Sequence, residues 1–391
     1  MAKINLGTYP FAGGVQVQDM SVYIGNNRFV RIATQRSNDS TIAVLYESSD
    51  VFNDAASINE ITSEVILDGF CYNVYKLTTA SNGDVIIFGK KYNTQETYLT
   101  RLNHDDVNGK FNIVSHTLLS TDGYVTSYTY SNLRTHMDLE NDTLYILAGR
   151  STQGVSLGRV VFDGTPSFEL LESWPSTTIF DDNYAYSTSQ HIEKVEDKLY
   201  FRTSSHVYGY NYIYDITAGS LLSDNTFSDF FKVVKLSETR YLSLFIDSNS
   251  NLSYVLTSNP PSYDDLRVSS SNRTSFIPQI SFTSSIYNGA YCQLDAIALD
   301  EYHVMVFEKP RGTDADRNNI FVRVINILDE NYAFVSDNSN GTDGHVLTTN
   351  YTTDNTRMIE FFNESLVRKI DTQRFYIQTD CNVFEFFTLT A

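Results

Sequence analysis

Apolar residues along the chain come in short runs, each bounded by Asn, Asp, Gly or Ser. Leu144-Tyr145-Ile146-Leu147 follows Glu140-Asn141-Asp142-Thr143, and Val85-Ile86-Ile87-Phe88 follows Ser81-Asn82-Gly83-Asp84. Leu199-Tyr200-Phe201 follows Glu196-Asp197-Lys198 in the same way. Asn, Asp and Gly tolerate the left-handed backbone that tight turns need, so runs spaced like this predict β-hairpins. No segment sustains a helical period. The stretch Ile58 to Leu67 comes nearest, and it reads equally well as a strand.

The hairpins recur. An apolar pair leads through a polar turn to a strand that opens on an aromatic or aliphatic anchor. Val22/Ile24 lead to Phe29, Val74/Leu77 to Val85, Met137/Leu139 to Leu144, and Ile192/Val195 to Leu199. Val234/Leu236 then lead to Tyr241, Ile297/Leu299 to Val304, and a weaker seventh unit runs from Val346/Leu347 to Met358. By difference of position the anchors stand 56, 59, 55, 42, 63 and 54 residues apart. The mean of about 55 approaches the period of known propeller repeats, and 391 residues hold about seven such units.

Each unit has room for two further strands, as at Thr97 to Leu102 and Phe111 to Ser115. The fold expected is therefore all-β: a single β-propeller over residues 1–391, with seven blades of four-stranded antiparallel sheet. A sandwich would not repeat seven times, and a solenoid would repeat more tightly. The short interval from Leu199 to Tyr241 predicts a trimmed blade or an anchor placed at the wrong residue. Strand-like runs at Arg374 to Ile377 and Val383 to Phe387 predict closure of the ring by pairing of N- and C-terminal strands, which leaves no open edge.

Composition narrows the partners. Aromatics make up 14% of the chain and charged residues only 19%, which excludes a disordered polypeptide. A formal charge of −19 disfavours phosphate backbones and anionic lipid, so nucleic acid is not an expected partner. No apolar stretch approaches the roughly 20 residues of a spanning helix, and the N-terminus lacks the apolar core of a secretory leader. Cys71, Cys292 and Cys381 are odd in number and widely spaced, so they form no disulfide framework or zinc pattern.

Candidate chemistry is sparse. Asp337, Ser339, Gly341 and Asp343 place oxygen donors at alternate positions around a glycine turn, which suits Ca²⁺. A hairpin loop held by Asx turns accounts for the same residues, and no cofactor is otherwise implied. Asp247 to Asn251 is a weaker match of the same kind. The adjacent pairs Asp105-Asp106, Asp181-Asp182 and Asp264-Asp265 invite an acid/base reading, but aspartates also cluster in solvated turns. The seven histidines are scattered, none at zinc spacing. His104 lies in a segment, Asn103 to Lys110, that reads as a plain hairpin loop. Trp174, Tyr184 and Tyr186 could stack on a sugar ring or pack within a blade. Catalytic residues are not apparent.

The degenerate hairpin units, the Asn/Ser/Thr/Tyr-rich loops, the single Trp and the missing leader resemble β-propeller proteins, and among them the propellers of tailed-phage virions. That resemblance spans the whole chain and implies a non-enzymatic virion component, associated with the tail and made in the host cytoplasm. It implies partners among other virion proteins in an oligomeric assembly, or a glycan or protein on the host surface. It transfers no functional residue. The alternatives are a glycan-active hydrolase with carboxylates at the central channel and a lectin-like carbohydrate-binding propeller.

Overall fold

The computed structural model describes residues 2–7, 9–10, 16–121, 133–150, 154–162, 164–174, 191–204, 209–222, 230–246, 251–275, 292–310, 319–327, 332–333, 345–348, 367–371 and 373–388. It is a seven-bladed β-propeller of antiparallel sheets with almost no helix. Blade 1 runs through Gln16–Gly25, Arg28–Gln35, Ser40–Ser48 and Ile58–Leu67. Blades 2 to 6 open on Tyr72–Thr79, Leu133–Asp138, His191–Val195, Phe230–Ser237 and Cys292–Ala298 respectively. In each, strand order follows chain order, and the first strands of successive blades lie against one another around the axis. The stretch Ile58–Leu67, ambiguous by period, is the fourth strand of blade 1.

The second strand explains the apolar runs. In blade 2, Val85 and Ile87 pack into the core shared with blade 1, whereas Ile86 and Phe88 pack into the core shared with blade 3. Successive side chains of a strand point to opposite faces, and here both faces are covered, so every position is apolar. Leu144 and Ile146 against Tyr145 and Leu147 repeat the division in blade 3. Phe29, Phe88 and Phe201 are each at most 1% exposed. Burial of such a ring contributes roughly 1.5–3 kcal/mol. The core is thus a set of wedges between blades.

Blade 7 is assembled from both ends of the chain. Its strands Val367–Lys369, Arg374–Asp380 and Val383–Thr388 are followed in space by Ala2–Asn5, which pairs with the last of them in the register Ala2 to Phe386 and Ile4 to Phe384. Phe384 and Phe386 then pack against Tyr23, Phe29 and Tyr46 of blade 1.

Two expectations meet specific outcomes. The short interval before Tyr241 corresponds to a blade 4 whose fourth strand is only Ser220–Leu221. The seventh unit is corrected: His345–Thr348, with Val346 and Leu347, pairs with Asn319–Asn326 of blade 6 instead of opening blade 7. Phe375, in the second strand of blade 7, holds the anchor position, and Met358 lies outside the described residues. A four-residue apolar run fits the flank of a neighbouring blade as well as an inner strand, so the sequence pattern does not separate the two.

Candidate functional site at the central axis

The first strands carry charge where the repeat would allow apolar residues. Asp19 stands in blade 1, Lys76 in blade 2, Arg134 and Asp138 in blade 3, Glu193 and Lys194 in blade 4, Lys232 in blade 5, and Asp295 in blade 6. Most of them are buried. A buried charge is tolerated only when paired, so these residues must meet partners.

They meet across blade boundaries. Glu193 and Lys194 are adjacent in one strand and so face opposite neighbours. Lys194 Nζ lies 2.9 Å from Asp138 Oδ2 of blade 3. Glu193 Oε1 lies 3.6 Å from Lys232 Nζ of blade 5. That ammonium also donates to Asp295 Oδ1 of blade 6, whose same oxygen accepts from its neighbour's amide, Ala296 N, at 2.8 Å. One lysine therefore serves two carboxylates from the blades on either side of it. Glu193 Oε2 is buried with no hydrogen-bond partner among the described residues.

Burial is the first cause of the shifts here. Burial pushes the Glu193 carboxyl up to about 7; Asp295 adds to the rise and Lys232 opposes it. Burial also disfavours the charge on Lys232, but Asp295 and Glu193 outweigh it and hold the ammonium above its ordinary value. Burial raises Asp138 too, yet its bonds to Asn141 and Lys194 leave it below the usual carboxylate value. Arg134 is pulled down to about 10 by burial. The cluster can store a proton near neutrality and tie three blades together.

The carboxylate pairs singled out in the sequence have other work. Asp105 holds its own turn, accepting from Val107 N at 2.9 Å and Asn108 N at 3.1 Å. Asp106 pairs with Arg28 of blade 1 at 2.7 Å and with His104 at 2.8 Å. Asp265 and Ser262 form a reciprocal cap on the one-turn helix Tyr263–Leu266. Asp181 and Asp182 lie outside the described residues, as do Asp247 to Ser250.

The calcium candidates Asp337, Ser339, Gly341 and Asp343 also lie outside the described residues, and so do Tyr184 and Tyr186. Trp174 ends the strand Ser167–Trp174, opposite Val155. Among the described residues no group of three or more His, Cys, Asp or Glu is placed to hold a metal. Sequence reasoning missed Glu193, Lys232 and Asp295. The available signal was charge inside a leading strand between apolar positions, as in His191-Ile192-Glu193-Lys194-Val195.

No family model matches the chain, and no curated protein matches it. Solved structures match at low identity. The chain is similar to BamB from Moraxella catarrhalis, at 11% identity and a TM-score of 0.41 over 99% of this chain and 98% of that one. It is similar to the extracellular domains 1–2 of Drosophila Semaphorin 1a, at 10% identity and a TM-score of 0.45 over 100% and 88%. It is also similar to a prolyl endopeptidase, at 9% identity and a TM-score of 0.35 over 81% of this chain. The chain spans about half of that enzyme's length, at 49%.

Proposed function

We propose that the chain is a non-enzymatic interaction propeller that works by holding protein partners or a surface ligand on its loops and rim. One observation supports this reading above others: the charged side chains of the innermost strands engage one another across blade boundaries, as Lys194 does Asp138 and Lys232 does Asp295. Catalytic carboxylates would instead converge on space open to a substrate. The specific form of the proposal is a tail-associated component of a phage particle, in contact with other virion proteins or with a glycan or protein of the host surface. It rests on the sequence resemblance and on an acidity that disfavours nucleic acid. The test is mass spectrometry of purified particles. The chain is expected in fixed ratio to the known structural proteins, and its absence from particles would overturn the virion role.

A second reading has its own support. Burial pushes the Glu193 carboxyl up to about 7, Asp295 stands across the same lysine, and glycoside hydrolysis uses two carboxyl groups of which one is a raised general acid. Turnover on a glycan panel, abolished by Glu193→Gln, would replace the first reading. Saturable glycan binding without turnover would point to a lectin.

A further inference from the structure

We infer that the turns shared by blades 1 and 2 hold an acidic sugar, with Arg36 and Lys91 on its carboxylate and Tyr92, Asn93 and Gln95 on its hydroxyls. The inference deepens the reading of the chain as a holder of surface ligands and rests on it. Arg36 lies between the second and third strands of blade 1, Arg28–Gln35 and Ser40–Ser48. Lys91 ends the second strand of blade 2, Val85–Lys91, and its turn leads to Thr97–Asp105. Both turns join second to third strands, so they emerge on the same face of the propeller. The link between the two blades lies there as well, since Cys71 O accepts from Tyr92 N at 2.8 Å.

The two cations are held in place without being neutralised. Arg36 Cζ lies 4.2 Å from the centre of the Tyr92 ring, and Lys91 Nζ lies 5.6 Å from that of Phe70. A ring face attracts a cation and leaves its charge available. Among the described residues neither cation has a carboxylate at ion-pair distance, whereas Arg28, Arg31 and Arg101 of the same blades each meet one. The turn that carries Lys91 is fixed at its backbone. Lys91 O accepts from Thr94 N at 3.1 Å and from Thr94 Oγ1 at 3.0 Å, and Lys91 N donates to Glu96 O at 3.0 Å. Among the described residues the Tyr92 hydroxyl and the side-chain amides of Asn93 and Gln95 make no hydrogen bond, so they are left for a ligand. Three acids stand near: Glu96, which accepts from the Tyr98 hydroxyl at 3.2 Å, and the exposed Asp39 and Asp68. With the charge of −19 they oppose phosphate and acidic peptides. One carboxylate on a ring of hydroxyls fits this mixture of two cations and neutral donors. A sialic or a uronic acid supplies that chemistry.

Calorimetry and saturation-transfer NMR on the full chain test the inference with sialyllactose, a glucuronate disaccharide, lactose, hexaglutamate and inorganic phosphate. At least one acidic sugar is expected to bind saturably below about 10 mM, and the tighter of the two names the source. Arg36→Gln and Lys91→Gln should each weaken that binding about tenfold with the thermal midpoint kept, because both side chains stand at the surface. Where a variant loses its midpoint, salt decides: binding that does not weaken between about 20 and about 300 mM sodium chloride overturns the inference. Failure of both acidic sugars to bind, lactose binding equally well, or unchanged affinity in either folded variant would also overturn it. So would hexaglutamate or phosphate binding as tightly as the sugars, which would mark a protein ligand or a general anion site. The wider reading fails separately. Sugar binding by a chain absent from purified particles supports this inference and removes the virion role, whereas a chain fixed in particles that binds neither sugar removes this inference alone.

Discussion

Ser21 N donates to the Cys381 carbonyl at 2.9 Å, although the two residues belong to opposite ends of the chain. The contact sets the last hairpin turn of blade 7 on the first strand of blade 1. Asn382, 8% exposed, completes it: its side-chain oxygen accepts from Ser21 Oγ, and its carbonyl accepts from Leu6 N at 3.0 Å. Gln378 Nε2 donates to the carbonyls of Ser21 and Cys381. Beside this seam Arg31 is buried against Asp19 at 2.7 Å, with Tyr46 Oη accepting from Nη1 and the Gly7 carbonyl from Nη2.

Removing Asp19 should hurt more than removing Asn382. Asp19→Ala leaves a guanidinium that is 1% exposed without its counter-charge, which costs about 3–5 kcal/mol. Asn382→Ala leaves the buried Ser21 hydroxyl without this acceptor, for about 1–3 kcal/mol. Guanidinium denaturation with an unchanged slope checks both. An Asp19→Ala loss smaller than that of Asn382→Ala would show that the ion pair does not hold the seam.

Gly89 is required by close approach. A Cβ there would collide with the Asn73 carbonyl oxygen and stand 3.0 Å from Val74 Cα, all backbone and unable to yield cheaply. Val74 faces Gly89 where the register of blade 2 shifts, before Lys76. Gly89→Ala is expected to destabilise the chain by about 1–3 kcal/mol. The thermal midpoint of the purified variant measures it, and a midpoint equal to that of the parent would refute it.

His116 should give the chain an acid-sensitive limb. Its ring stacks on Tyr98 at 4.9 Å and meets Phe70 edge-on, and its Nδ1 hydrogen-bonds Thr100 Oγ1 at 2.7 Å, which in turn bonds the buried Tyr72 hydroxyl. Burial holds His116 below its ordinary value. The unfolded chain then binds more protons below roughly pH 6.5, so the contribution is present above that pH and is lost as pH falls toward the lower, folded value. Denaturation midpoints should drop between pH 7.5 and 5.5, and His116→Gln should flatten that drop. A variant with the same pH dependence as the parent would assign the limb to other groups.

Much of the scaffold was legible because both faces of a second strand are buried. Val85 to Phe88 and Leu144 to Leu147 read as strands because turn residues bound each run, and Gly83 and Asp142 beside them adopt the positive φ their turns require. His345–Thr348 was misplaced because pairing to Asn319–Asn326 depends on what stands beside it in space. The charged cluster was hidden for a related reason. Glu193, Lys232 and Asp295 lie 39 and 63 residues apart by position, and nothing local marks them as partners.

The sequence by itself determined the strands, their turns and the repeat count near seven, since alternation, turn chemistry and burial of both faces act over a few residues. Tertiary structure alone decided that His345–Thr348 joins blade 6, the register in which Ala2–Asn5 meets Val383–Thr388, and which buried charges meet at the axis. Those choices depend on closing the circle. Only then do first strands distant in the chain come within the few ångströms over which a buried lysine and carboxylate can neutralise one another.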